Sequence, residues 1–415
     1  MSVGIPIGRP IGRPIGRAIG SSGEGWSANF LAGEFPSNIT FTRASNATDF
    51  SSSGVLTTEG TNVYRLDTNP ITLQPRGLLL EGARTNLLLQ SATLSTSPWA
   101  NTAQTIAGSQ PSIFGTNTGF VLTGSAANSR TLQTVTISTG VTYTYWAILA
   151  AGTSTTANLT IDVDSAQVVG SIDFSAGTVT DAGTKAAIST IYRDLSGGKK
   201  LVGVVFSATT TTSITVQIKA GVGTLFADFA QLETGAFPSS AIITTGAAAT
   251  RAADSAIITD LASIGFNANE GTISVEFESV SGAGSLNQPL FAVSDGTVNN
   301  RISSFHTSTN NIGNRIVTGG AAANPGDVSG INFAVINKMA LAYGIGTNQA
   351  ISCANGTLGG ASSPASLPSI STYTDGFRIG AQPATFGPQG NGIWIRRLVY
   401  YPTRLPNAQL QALTA

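Results

Sequence analysis

The chain has 415 residues, 21 Lys+Arg against 21 Asp+Glu, and only 10% charged residues, where a typical globular domain has roughly 25%. Charge this sparse and balanced leaves no electrostatic footprint for nucleic acid or an anionic membrane. One cysteine, Cys353, and one histidine, His306, exclude internal disulfides, cysteine-based metal sites and His-rich zinc or iron centres. Any Ser-His-Asp arrangement would have to run through His306, whose expected place is a surface or a satisfied loop. The length suggests two or three domains.

The first twenty residues, MSVGIPIGRPIGRPIGRAIG, state an I-G-R-P unit almost verbatim three times. Pro10 and Pro14 each remove a backbone donor, and Gly8, Gly12 and Gly16 sit where a helix would lose most. The glycine spacing of four is not the spacing of three that a collagen triple helix needs. An extended arm places Ile5, Ile7, Arg9, Ile11, Arg13, Ile15, Arg17 and Ile19 on one side, with Pro and Gly on the other. Such a ribbon is shaped to lie along another surface. Residues 1–25 are therefore read as a docking arm, with Ile7, Arg9, Ile11, Arg13, Ile15, Arg17 and Ile19 as its contact residues. Three arginines are too few for nucleic-acid affinity at ordinary salt, and the interleaved isoleucines favour a protein partner.

Residues 26–90 mix aromatic and turn signals and end in Gly77-Leu78-Leu79-Leu80, then Glu81-Gly82-Ala83-Arg84-Thr85-Asn86-Leu87. Their apolar residues lack helical spacing, and the segment is expected to be an irregular connector. Residues 91–250 read as strands. Leu159, Ile161 and Val163 alternate with polar residues, as do Ile214, Val216 and Ile218. In the run from Val141 to Leu149, Tyr143 and Tyr145 share one face and Trp146 takes the other. Ser196-Gly197-Gly198-Lys199 is a plausible hairpin end. Residues 251–415 repeat the style, with Ile273, Val275 and Phe277 inward and Ser274, Glu276 and Glu278 outward. Ser294-Asp295-Gly296-Thr297 predicts a tight hairpin turn, and residues 392–413 a last strand and a short helix. The expected fold is all-β: an extended N-terminal arm followed by two β-sandwich (jelly-roll) domains. The boundary between the sandwiches is expected at residues 247–254.

Three blocks carry a resemblance. Phe41-Thr42-Arg43-Ala44-Ser45 through Gly77–Leu87 is similar to a segment common in phage fibre and head-spike proteins. Gln231–Ser240, running on to Thr250-Arg251-Ala252-Ala253-Asp254, resembles the end of the carbohydrate-binding-type jelly roll of those proteins. The terminal Gly392–Tyr401, with Leu405–Leu413, is similar to the last strand and helix of concanavalin A-like, laminin-G-like domains. The resemblance implies a virion protein, a tail fibre, head fibre or spike. It would bind other virion proteins through the arm and host-surface glycan through its sandwiches, as a homotrimer, without nucleic-acid binding or membrane insertion. Release with a virus particle also suits a chain that has neither a secretory signal nor an apolar run of membrane-span length.

Catalytic material is thin. Asp162 and Asp164, like Glu276 and Glu278, are two apart on predicted strands, with side chains about 6–7 Å apart. Glycosidase carboxyl pairs span about 5–9.5 Å, so spacing alone does not exclude hydrolysis. The third carboxylate that would continue the pattern of sugar-cleaving concanavalin A-like enzymes is absent, since Ser279, Val280 and Ser281 follow Glu278. Paired exposed carboxylates on a strand read as a solvated face. No catalytic residue is assigned, and a polysaccharide depolymerase using Glu276 and Glu278 is the competing class. Asp295 and Asp327 lie in loops with carbonyl-rich neighbours that leave calcium open, but no loop has an EF-hand pattern and no metal or cofactor is assigned. Tyr143, Tyr145, Trp146, Trp394 and Tyr400 are expected in the cores. Trp99, after Pro98 and outside a clear strand, is the expected exposed glycan contact.

Overall fold

A computed structural model of the protein describes residues 23, 25–279, 287–368, 373–383 and 392–415. The I-G-R-P arm, with all seven of its expected contact residues, lies outside the described residues. The described chain is all-β: antiparallel strands, three short 3-10 turns and one helix, Asn407–Thr414.

Two sheets stack to form the first sandwich. One runs, in spatial order, Ser189–Asp194, Lys200–Ser207, Thr142–Ala151, Gly223–Thr234, Gly119–Gly124 and Gln104–Gln110. The other runs Thr178–Asp181, Ala166–Asp173, Thr156–Val163, Ser213–Lys219, Arg130–Thr136 and Ala100–Thr102. Period-2 alternation explains the core between them. Leu159, Ile161 and Val163 meet Ile214, Val216 and Ile218 on one side, and Tyr143, Tyr145 and Leu149 on the other. The turn at Ser196–Gly198 does join two paired strands.

The second sandwich is where sequence and structure part. Its first sheet holds Glu270–Ser279, Asn337–Gly344, Ile351–Ala354 and Ile393–Tyr401, as the C-terminal pattern implies. It also holds Leu66–Thr68, Pro75–Leu80 and Trp26–Asn29. Ile393, Trp394 and Ile395 pair with Leu80, Leu79 and Leu78, and Arg397 to Tyr400 pair with Asn29 to Trp26. In the facing sheet Thr40–Thr42 pairs with Ser255–Ile258. Residues 26–90 are thus not an irregular connector. Leu78-Leu79-Leu80 shows no alternation because both faces of its strand are covered. Leu78 and Leu80 enter the core, and Leu79 faces the first sandwich. Gly77, at φ 109°, lets this strand lie against its neighbour: a Cβ there would sit 2.3 Å from the Ile395 carbonyl oxygen.

The two sandwiches are therefore nested rather than consecutive. The chain begins the second sandwich, leaves it through Arg84–Asn86, builds the first, and returns through Ala249–Arg251. These two short strands pair with each other, Arg84 opposite Arg251 and Asn86 opposite Ala249, and form the neck between the sandwiches. Beside the neck lies a buried charge cluster. Arg65 reaches Glu81 (2.7 Å) and Asp254 (2.5 Å), Arg43 reaches Asp254 (3.1 Å), and Arg251 lies 3.6 Å from Glu81. Ser240 donates to Glu81 through its backbone N–H and its hydroxyl.

Two smaller expectations are also corrected. His306 is no surface residue: it is buried at the end of the strand Arg301–His306, its ring 4.1 Å from that of Phe333. Burial pushes its pKa down to about 4 and keeps the imidazole neutral. The strands Gln288–Ser294 and Arg301–His306 do form a hairpin, but over a six-residue connection, 295–300. Asp295 organises that loop by accepting from Thr297 and Asn300.

Candidate functional site between the sandwiches

Where the outer face of the first sandwich meets the second, a cleft of about 360 Å³ opens. The strand Thr142–Ala151 turns Tyr143 and Tyr145 into its own core, so Trp146 and Ile148 point the other way, into the cleft. From the opposite wall come Asp67, Arg76, Leu79 and Trp394, and the hairpin of Ala47–Phe50 with Leu56–Glu59 adds Asp49. Arg193 and Asp194, at the end of an edge strand, stand exposed at the rim.

Hydrogen bonds fix this wall. Asp67 accepts from the Phe50 N–H (2.8 Å) through Oδ1 and from the Trp394 indole N–H (2.7 Å) through Oδ2. Trp146 donates its indole N–H to Glu233 (2.8 Å). The Arg76 guanidinium lies 3.3 Å from the centre of the Trp394 ring and pairs with Glu278. Asp49 accepts from the Thr57 hydroxyl (3.1 Å). Burial, and then the charges of Asp67 and Glu59, push the Asp49 carboxyl up to about 6. Burial likewise raises Asp67. The cleft thus sets two guanidinium groups near two reluctant carboxylates, over a floor of two buried tryptophans. Clefts of about 300–1,000 Å³ at domain interfaces, with few polar groups on an apolar lining, are the common form of small-ligand site.

Because native Asp49 holds its proton more tightly than the unfolded chain does, it lowers stability as pH rises from about 4 to 6. Two pKa units correspond to about 3 kcal/mol above that range. Asp49→Asn should raise the thermal midpoint at pH 7.5, and the gain should vanish at pH 4. Melting curves showing the same change at both pH values would contradict this account.

The residues singled out from sequence fall elsewhere. Trp99 is not an exposed glycan contact: it is 6% exposed, packs in the first core, and donates its indole N–H to the Gln90 carbonyl. An apolar ring with a satisfied N–H belongs inside even without a regular strand. Glu276 and Glu278 are both ion-paired, to Arg396 (2.8 Å) and Arg76. Asp164 does not share a strand face with Asp162. It lies beyond the strand at φ 53° and accepts from Thr209, Thr210, Thr211 and Lys185. Asp295 is engaged within its loop, and Asp327 lies 3.9 Å from Arg315. Among the described residues no group of three or more His, Cys, Asp or Glu is placed to hold a metal ion. Tyr143, Tyr145 and Tyr400 are in the cores, and Trp146 and Trp394 are buried as expected, while also lining the floor of the cleft. Sequence reasoning missed Asp49, Asp67, Arg76 and Arg193. The one available sign was Trp146, a large aromatic on the face of its strand opposite Tyr143 and Tyr145.

No protein-family model matches the chain, and no curated protein matches it in sequence. Solved structures do. The CBM40 module of the Ruminococcus gnavus IT-sialidase, bound to α2,3 sialyllactose, is 20% identical with a TM-score of 0.34, over 39% of this chain and 92% of that one. The leech intramolecular trans-sialidase is 20% identical with a TM-score of 0.32, over 39% of this chain and 26% of the enzyme. The Streptococcus pneumoniae NanB sialidase is 15% identical with a TM-score of 0.32, over the same shares.

Proposed function

We propose that the protein is a non-enzymatic structural protein of a bacteriophage virion. In this reading it is a fibre or spike that attaches through its N-terminal arm and binds host-surface glycan in the cleft between its sandwiches. The observation that carries the glycan reading is the cleft. Arg76 and Arg193 can donate to a hydroxyl-rich ligand, Asp49 can accept from it, and Phe50, Ile71 and Leu201 give an apolar surface for a sugar ring. The virion reading is supported by the I-G-R-P arm, the charge-poor composition and the three resembling blocks. A depolymerase using Glu276 and Glu278 is less well supported, because each carboxylate is already held by an arginine. A head-decorating fibre without a receptor role is the neighbouring alternative.

The test has two arms. Arg193→Ala combined with Asp49→Asn should weaken adsorption of the purified protein to host cells at least tenfold while its circular dichroism is retained. Undiminished adsorption would remove the cleft from the account. Deleting residues 2–20 should leave the fold intact and abolish incorporation into particles. Particles carrying a normal complement of the truncated protein would refute the docking arm.

A further inference from the structure

We infer that the ligand is an extended polysaccharide, bound along the rim of the first sandwich from the cleft to a second depression at the far end of the same strands. This rests on the cleft being a glycan site. The second depression, about 420 Å³, is lined by Phe174 and Phe226, the turn Gly197–Gly198, and the polar groups of Gln110, Lys199 and Lys200.

Register places the two depressions on one line. Along the strand Thr142–Ala151, Trp146 and Ile148 form the buried floor of the cleft, and Ala150, two residues on, lines the second depression. Trp146 and Ala150 are separated by four residues of one strand, about 13 Å. The neighbouring strand shows how an aromatic ring comes to lie there. Ile148 pairs with Phe229 and Leu149 with Ala227, so Asp228 is an extra residue, a β-bulge. The bulge reverses the alternation, turning Leu225 and Ala227 into the core and Phe226 outward, opposite Ala150. The Asp228 carboxylate then accepts from the Ile113 N–H (2.7 Å) and from Lys199 (2.9 Å), whose ammonium lies 5.8 Å from the Phe226 ring centre.

Between the depressions Ile148 and Leu195 are buried, and the polar, accessible path runs along the rim at Asp194 and Lys200. Lys200 pairs with Asp194 (2.6 Å), which itself borders the cleft; one such bond leaves an ammonium further donors. Gly197 and Gly198, at φ 64° and 73°, have nothing within 4 Å of where a Cβ would stand, so the turn's backbone is uncovered. Phe174 and Phe226 are both half-buried, each keeping part of its ring accessible. Phenyl rings at one end, the partly apolar cleft at the other and hydrogen-bonding groups along the rim suit a ligand that repeats along its length. One sugar unit cannot touch both ends.

The experiment is calorimetric titration of the full chain with oligosaccharides graded from one to eight residues, in neutral-hexose, hexosamine and uronic-acid series. In the series that binds, affinity should rise at least tenfold between the disaccharide and the octasaccharide. Phe226→Ala, and separately Lys200→Ala at the rim in case the first variant folds poorly, should reduce the octasaccharide affinity towards that of the disaccharide. Arg193→Ala should weaken every length. Length-independent binding that still falls with Arg193→Ala would overturn the extended track and leave the cleft standing. Binding indifferent to Arg193→Ala, or no binding in any series, would overturn both.

Discussion

Replacing Arg65 by Met should destabilise the protein by about 3–5 kcal/mol, the cost typical of breaking a buried ion pair from one side. Arg65 is fully buried and donates to four groups: Glu81, Asp254, the Thr48 carbonyl and the Ser240 hydroxyl. Removing it leaves two carboxylates in a closed interior with only Arg43 and Arg251 nearby. Burial alone would raise the Glu81 carboxyl, but Arg251 and Arg65 outweigh it and bring the group down to about 2. A lowered acid contributes stability above its unfolded pKa, near 4.5, which is lost as pH falls towards 2. With Arg65 gone that lowering shrinks, so the acid limb of the stability profile should move to higher pH. Urea unfolding at pH 7 measures the first effect, and acid titration followed by circular dichroism the second. A loss below about 1 kcal/mol with an unmoved acid limb would show that the cluster is not what holds the junction.

The reading from sequence succeeded where a strand has one wet face and failed where it has none. Leu159, Ile161, Val163, Ile273, Val275 and Phe277 alternate with polar residues, and each is buried as its period demands. Leu78-Leu79-Leu80 carries no period, since one face meets the second core and the other the first sandwich. An apolar run of that length does not say which sheet will receive it. Nesting was hidden for a related reason: strand order is a long-range property, and Trp26–Asn29 pairs with a strand some 370 residues later. The cleft was invisible because its walls come from segments far apart in sequence, Asp67 and Trp394 among them. Its carboxylates are singletons rather than spaced pairs. The carboxylate pairs that were visible, Glu276 with Glu278 and Asp162 with Asp164, are engaged in ion pairs, hydrogen bonds or a loop.

Nesting makes the fate of fragments the most decisive test of the architecture. Residues 84–251 expressed alone should fold, because the first core draws its residues from Leu88 to Leu232 and the neck strands Arg84–Asn86 and Ala249–Arg251 close on each other. Residues 251–415 alone should not. That fragment lacks Phe30, Ile39, Phe41, Leu78 and Leu80, all buried in the second core. At about 1.5–3 kcal/mol for each buried side chain, their loss matches the whole net stability of an ordinary domain, about 5–15 kcal/mol. It also lacks the strands that pair with Ile393–Tyr401 and Ser255–Ile258, so backbone groups of both lose their partners. Limited proteolysis gives the same contrast in the intact chain. The exposed segment from Thr245 to Ala248 is the expected cut. The two pieces should nevertheless elute together from a sizing column and separate only in denaturant, because the N-terminal piece supplies strands to both sheets of the second sandwich. Two fragments that part under native conditions, each with a cooperative melt, would mean that the sandwiches are consecutive after all.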